Sequence, residues 1–222
     1  MKLNLPVFGK RDIGRPKFRR SNPIIEGKLY QYRQPLHDFY GVSVATALTL
    51  QTLYTVPVGQ AYTPAGGVAL VKNRWHTNLV QSGLLPSPEK MFCKSISISI
   101  DPLTLAADAG RFLNDTLVTF NISQRPFLQT HIWKIPSGGG AWQGGGSGYV
   151  GNGWPTRDNQ FAFVGDLGET IEQQQNFSVD IDPTLARKAL ATVVLTTATE
   201  AAGGIGINCF VHLDGLLNRE IL

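Results

Sequence analysis

Charge is scarce in this chain. Asp, Glu, Lys and Arg make up 16% of the 222 residues, against roughly 25% in an average globular domain. That deficit leaves surface without a solubilising coat and predicts that partners cover some of it. Methionine is almost missing, with two copies. Cysteine is equally rare: Cys93 and Cys209 form no CxxC, so no zinc or redox motif can be built from them. Each lies in a strand-like run and reads as a small buried side chain. No apolar run approaches the ~18 residues of a membrane-crossing helix. The longest mostly apolar stretch, 189–202, carries several threonines and a glutamate. The first ten residues hold too short an apolar stretch for a secretory leader, and Pro6 interrupts it. These shortages argue against a coiled coil, a membrane span, a disulfide-built miniprotein and a wholly disordered chain.

Catalytic signatures are also missing. There is no GxxxxGK[ST] phosphate loop and no GxSxG elbow. Residues 146–151 match GxGxxG as text, but no βαβ unit surrounds them. His37, His76, His131 and His212 lack the i, i+2 or i, i+4 spacing of metal ligands. His37 and Asp38 are adjacent, yet a catalytic dyad needs a geometry that adjacency does not supply. Asp166, Glu169 and Glu172 cluster without an oxygen-ligand loop pattern and read as a solvated acidic stretch. The expectation is no catalytic residue, no metal and no cofactor.

What is present is β-sheet chemistry. The 24 glycines and 13 prolines favour a turn-rich fold. Residues 94–100 alternate serine or lysine with three isoleucines, the mark of a strand with one buried face. Further strands are predicted over 29–33, 42–50, 53–58, 68–71, 117–122, 128–135, 161–164, 177–181, 192–199 and 205–213. These stretches are rich in Val, Ile, Thr, Phe and Tyr and are separated by Gly, Pro, Asn and Asp. The fold class is therefore all-β, an antiparallel sandwich or barrel with one or two short helices.

One short internal echo adds to this. Residues 97–106 and 178–186 both run a strand into Asp-Pro (Asp101-Pro102, Asp182-Pro183), followed by a Leu, Thr and Ala-bearing turn. Aspartate caps a helical turn and proline suits its first position. Between 137 and 154 nine glycines predict a long loop studded with Trp142, Tyr149 and Trp154. These aromatics either contact a subunit or ligand or fold back on the sandwich edge.

The net charge of +4 hides an asymmetry. Residues 1–33 carry +7 and the other 189 carry −3. The centre of the basic stretch is 10–20, with Lys10, Arg11, Arg15, Lys17, Arg19 and Arg20 around Gly14 and Pro16. It has no helical periodicity. Such an arm binds polyanions by counterion release, and anionic lipid headgroups attract it as well.

A cationic arm, a strand series from residue 29, Asp-Pro turns after Ile100 and Ile181, and a closing strand at 205–213 with a tail at 214–222 together carry a resemblance. The chain resembles single jelly-roll capsid proteins of icosahedral viruses, most closely those of internal-membrane phages of the adenovirus–tectivirus lineage. The likeness is one of architecture and composition. It implies a single jelly roll of two four-stranded sheets over residues 28–222, with residues 1–27 as a flexible arm. It further implies a coat or vertex (penton) subunit of a virion, not an enzyme, that meets copies of itself and other capsid subunits. The arm would face the viral genome or an anionic internal membrane. The rival expectation is a carbohydrate-binding β-sandwich that stacks sugars on Trp142 and Trp154.

Overall fold

The structure, a computed structural model, describes residues 29–43, 48–101, 104, 106–135, 141–143, 150–152, 161–163, 169–183 and 207–220. Its strands are β1 (Leu29–Arg33), β2 (Leu36–Val42), β3 (Gln51–Leu53), β4 (Ala61–Tyr62), β5 (Leu70–Val71), β6 (Lys90–Ile100), β7 (Leu117–Ile122), β8 (Arg125–His131), β9 (Ala141–Gln143), β10 (Val150–Asn152), β11 (Phe161–Ala162), β12 (Glu169–Ile171), β13 (Phe177–Asp182) and β14 (Ile207–Glu220). Helix α1 spans Ala106–Asp115, and a 3₁₀ turn covers Ile132–Lys134.

Two antiparallel sheets carry the fold. In the first, β14 lies between β6 and the consecutive pair β1 and β2, and β11 and β12 both line the far side of β6. The second runs β3-β13-β7-β8. Small ribbons β4-β5 and β9-β10 stand apart. One buried cluster joins the inner faces: Ile96, Ile98, Ile100, Cys209, Val211 and Leu213 from the first sheet, and Val118, Phe120, Phe177, Val179 and Ile181 from the second. The molecule is thus an all-β sandwich. Alternation explains the division, since β13 and β7 bury every second residue.

Several expected boundaries move, each for a physical reason. The strand expected at 42–50 lies upstream, at Leu36–Val42. The strand expected at 53–58 ends at Leu53, because Tyr54 takes a left-handed backbone with φ of 65°. Residues 128–135 split into the end of β8 and the 3₁₀ turn. The tail expected from 214 continues the last strand to Glu220, so Leu217 is buried in the sheet. Part of the glycine-rich loop forms the β9-β10 ribbon. The strand expected at 192–199 and the helical turn after Asp182 lie outside the described residues. The two Asp-Pro echoes follow β6 and β13, which belong to different sheets. The next described strand after each belongs to the other sheet.

Gly215 shows how tightly the central strands approach. A β-carbon there would stand 2.1 Å from the Phe92 carbonyl oxygen. The register between β14 and β6 shifts at this point, with Asp214 opposite Ser95 and Gly215 opposite Cys93. Lys94 is the extra residue of a β-bulge.

Candidate functional site

The chain between β3 and β6, residues 54–89, leaves the sandwich and covers the edge formed by β2 and β3. Backbone bonds tie it into a compact body: Val58 N–H to Leu79 O at 2.9 Å, Gly59 N–H to Lys72 O at 2.8 Å and Lys72 N–H to Gln60 O at 3.0 Å. It also repairs a break in the edge. Pro35 separates β1 from β2 and cannot donate to a ladder. Asn78 fills the gap, accepting from His37 N–H at 2.9 Å and donating to Pro35 O at 2.7 Å.

The strongest anchor is ionic. Asp38 points inward from β2 and is 0% exposed, and Lys72 from the excursion is 2% exposed. Lys72 Nζ stands 2.5 Å from Asp38 Oδ1 and 4.7 Å from the centre of the Tyr62 ring. The carboxylate also accepts Phe39 N–H at 2.9 Å and Tyr54 N–H at 2.5 Å. Tyr54 donates its hydroxyl to Val211 O at 2.9 Å, which locks its left-handed backbone against β14. Burial, and then the Asp38 charge, push the Tyr54 phenol well above its ordinary pKa, so it stays a donor. The geometry is that of a clamp: every charge is paired, and no open face is left for a substrate.

On the outer face of the first sheet, aromatic rings meet. Phe39 and Phe210 lie 5.5 Å apart, Trp75 stands edge-on to Phe210 at 4.8 Å, and His76 packs on Phe39 at 5.3 Å. His37 and His212 lie 6.1 Å apart, and His212 Nε2 is 3.3 Å from Ser99 Oγ. Burial and then the neighbouring His37 hold His212 below its usual 6.5. Burial and then the Lys72 ammonium do the same to His76. The sign follows directly. Well above pH 6.5 both rings are neutral, folded or unfolded. As the pH falls through that value, the unfolded chain takes up protons that the fold resists, so stability is lost. Urea midpoints are expected to fall between pH 7 and pH 5, and His212→Gln is expected to shrink that fall.

The sequence-predicted sites fare unevenly. Lys10, Arg11, Arg15, Lys17, Arg19 and Arg20 lie outside the described residues, as do Tyr149 and Trp154. Trp142 sits in β9 opposite Gly151 of β10. His37 and Asp38 are divided between the two faces of β2, since Asp38 is buried and His37 Nε2 lies 3.1 Å from Arg74 O outside. Adjacency therefore brings no dyad together. Cys93 and Cys209 are both buried on the inner face and no disulfide joins them. Burial raises the Cys209 thiol far above its ordinary pKa, which keeps it unreactive. Glu169 opens β12, and Glu172 pairs with Lys90 at 2.7 Å on the surface. Among the described residues, no three His, Cys, Asp or Glu side chains gather to hold a metal, and no helix is long and apolar enough to cross a membrane.

Sequence reasoning expected surface without a charged coat but did not locate it. Among the described residues, the large hydrophobic side chains left in solvent are Leu50, Val58, Val68, Val71, Trp75, Val80, Phe127 and Trp133. Six of them lie between 50 and 80 in the chain, while Phe127 and Trp133 belong to β8 and the turn after it. The available signal was the charge count: residues 54–89 hold only Lys72, Arg74 and Glu89, and Lys72 is buried. Compared with family models, with curated proteins and with solved structures, the chain matches none.

Proposed function

We propose that this chain is a structural capsid subunit with a single jelly roll, which packs beside copies of itself in an icosahedral shell. The observation that carries the reading is the strand order. Take β1 with β2, and β11 with β12, as single interrupted strands, and leave aside the ribbons β4-β5 and β9-β10. Among the described residues eight strands remain, and their orders are first-eighth-third-sixth in one sheet and second-seventh-fourth-fifth in the other. That interleaving is what a rolled-up pair of Greek keys produces: the first strand neighbours the last, and the second neighbours the seventh. The clamp chemistry adds support. The buried polar groups of Asp38, Lys72 and Tyr54 are spent on holding the edge together, which suits a scaffold.

In this reading the basic arm, residues 1–27, faces the interior of the virion. Lys10, Arg11, Arg15, Lys17, Arg19 and Arg20 neutralise genome phosphates or anionic lipid headgroups there. Trp142, Tyr149 and Trp154 contact neighbouring subunits. Deleting residues 1–27 is expected to leave the sandwich folded and to abolish co-purification of nucleic acid or anionic vesicles at moderate ionic strength. Retention of polyanion by the truncated chain contradicts the arm's role. A full-length monomer captured by a polysaccharide column replaces the capsid reading with glycan binding.

A further inference from the structure

We infer that the turn from Asn73 to Thr77 is a proton-operated cover. It lies closed over the rings of Phe39 and Phe210 while His76 is neutral, and it lifts when Nδ1 of His76 takes up a proton. The inference does not rest on the capsid reading.

What the cover hides is an apolar patch on the outer face of the first sheet. Phe39 is 4% exposed, yet it lies outside the main buried cluster. Residues 54–89 bury it instead, with Tyr62 at 6.2 Å, Trp75 at 6.1 Å and His76 at 5.3 Å between ring centres. Trp75 also stands edge-on to Phe210 at 4.8 Å. The turn holds itself together by bonds to Asn73. Asn73 O accepts His76 N–H at 3.0 Å and Thr77 N–H at 3.1 Å, and Asn73 Oδ1 accepts Trp75 N–H at 2.8 Å. His76 closes the set from the other side, where its Nδ1 accepts Asn73 N–H at 3.2 Å. A ring nitrogen that accepts a hydrogen bond carries no proton. Protonation there sets two donors against each other.

The other two imidazoles beside the patch lack this constraint. His37 Nε2 meets a carbonyl, Arg74 O at 3.1 Å, and donates to it whether the ring is neutral or charged. His212 Nε2 meets Ser99 Oγ, a hydroxyl that either donates or accepts. His76 is therefore the ring whose bond demands the neutral state. The charges around it agree. Lys72 opposes a proton on His76, while Asp38 of β2 favours one but is already paired with Lys72. Arg74 adds a second cation within the turn. On β14, Phe210 is uncharged, His212 faces His37, and Asp214 acts on His212.

The opening has a limit. Thr77 Oγ1 donates to His37 O at 3.0 Å, and Asn78 bridges His37 N–H and Pro35 O. None of these bonds uses an imidazole, so the hinge lies at Thr77 and the rest of the excursion stays in place. A free imidazole titrates near 6.5, so a closed turn that binds no proton sets the largest possible effect. The open-to-closed ratio then rises by about 30-fold between pH 7.5 and pH 5.

Native-state hydrogen exchange of the full chain, read by mass spectrometry and corrected for the intrinsic rate at each pH, tests this. Exchange at 73–77 is expected to rise several-fold, and by no more than about 30-fold, from pH 7.5 to pH 5. At pH 5 the turn is expected to exchange faster than Val58 and the amides of β14, which open only with larger units. His76→Asn offers an acceptor oxygen that does not titrate in this range, and should flatten the rise at 73–77. His76→Lys removes the acceptor and fixes a charge, and should leave the turn open already at pH 7.5. The position is half-buried on a surface turn, and a cooperative melting transition checks the fold of each variant. A wild-type turn whose exchange ignores pH, or that exchanges no faster than β14, overturns the inference. So does a rise that survives in His76→Asn, or a His76→Lys turn as protected as wild type at pH 7.5.

Discussion

Asp38→Ala is expected to destabilise the fold by about 3–5 kcal/mol, the usual cost of breaking a buried ion pair from one side. For a domain of this size that corresponds to a fall in Tm of roughly 6–20 °C. The substitution strands the Lys72 ammonium in a nearly dry site and leaves the Phe39 and Tyr54 amides without the oxygens they now meet. It also releases the strained Tyr54 backbone and loosens residues 54–89 from the edge. Lys72→Met should cost less, because the carboxylate keeps both amide donors. Replacing the pair together, as Asp38→Leu with Lys72→Met, should recover part of the loss, since two uncharged residues avoid the stranded charge. Urea titration of the three variants checks this order. A midpoint for Asp38→Ala close to that of wild type would show that the clamp contributes nothing.

The second large effect is expected at Gly215. An alanine there would place its β-carbon 2.1 Å from a backbone oxygen of β6, which cannot swing aside as a side chain would. The strands must part at the bulge, and the hydrogen bonds on either side of it lengthen. The expected cost is about 3 kcal/mol, at the upper end for overpacked sites. Gly110 in α1 is the matched control. Nothing lies within 4 Å of its added β-carbon, so Gly110→Ala is expected to stabilise by roughly 0.5–1 kcal/mol through helix propensity. Thermal unfolding of the two variants should move in opposite directions.

Much of the sandwich is legible in the residues, and the misreadings share causes. Residues 117–122 and 177–181 were readable because their alternation is unbroken and small residues bound them. The strand around 94–100 seemed to begin at Lys94 because alternation breaks there. Met91 and Cys93 point inward, as do Ile96, Ile98 and Ile100, and the bulge at Lys94 switches the parity between them. The same crossing disguises the end of β14, where Asp214-Gly215 looks like a turn. Strand β2 was hidden because an acid occupies an inward position. Asp38 spoils the pattern and becomes acceptable only through Lys72, 34 residues away in the chain. Long-range compensation of that kind leaves no local trace.

The exposed apolar surface was half visible. Low charge in 54–89 could be read directly, but which valines face solvent depends on how the excursion lies against β2 and β3. The basic arm was the plainest feature of the sequence and lies outside the described residues. For that reason the central claim is best tested on the whole chain.

The most direct measurement is negative-stain imaging of full-length protein at moderate ionic strength, over a range of concentrations. Closed rings or shells of uniform diameter are predicted, with single sandwiches as the dilute limit. Isolated particles of one chain at every concentration would contradict the account.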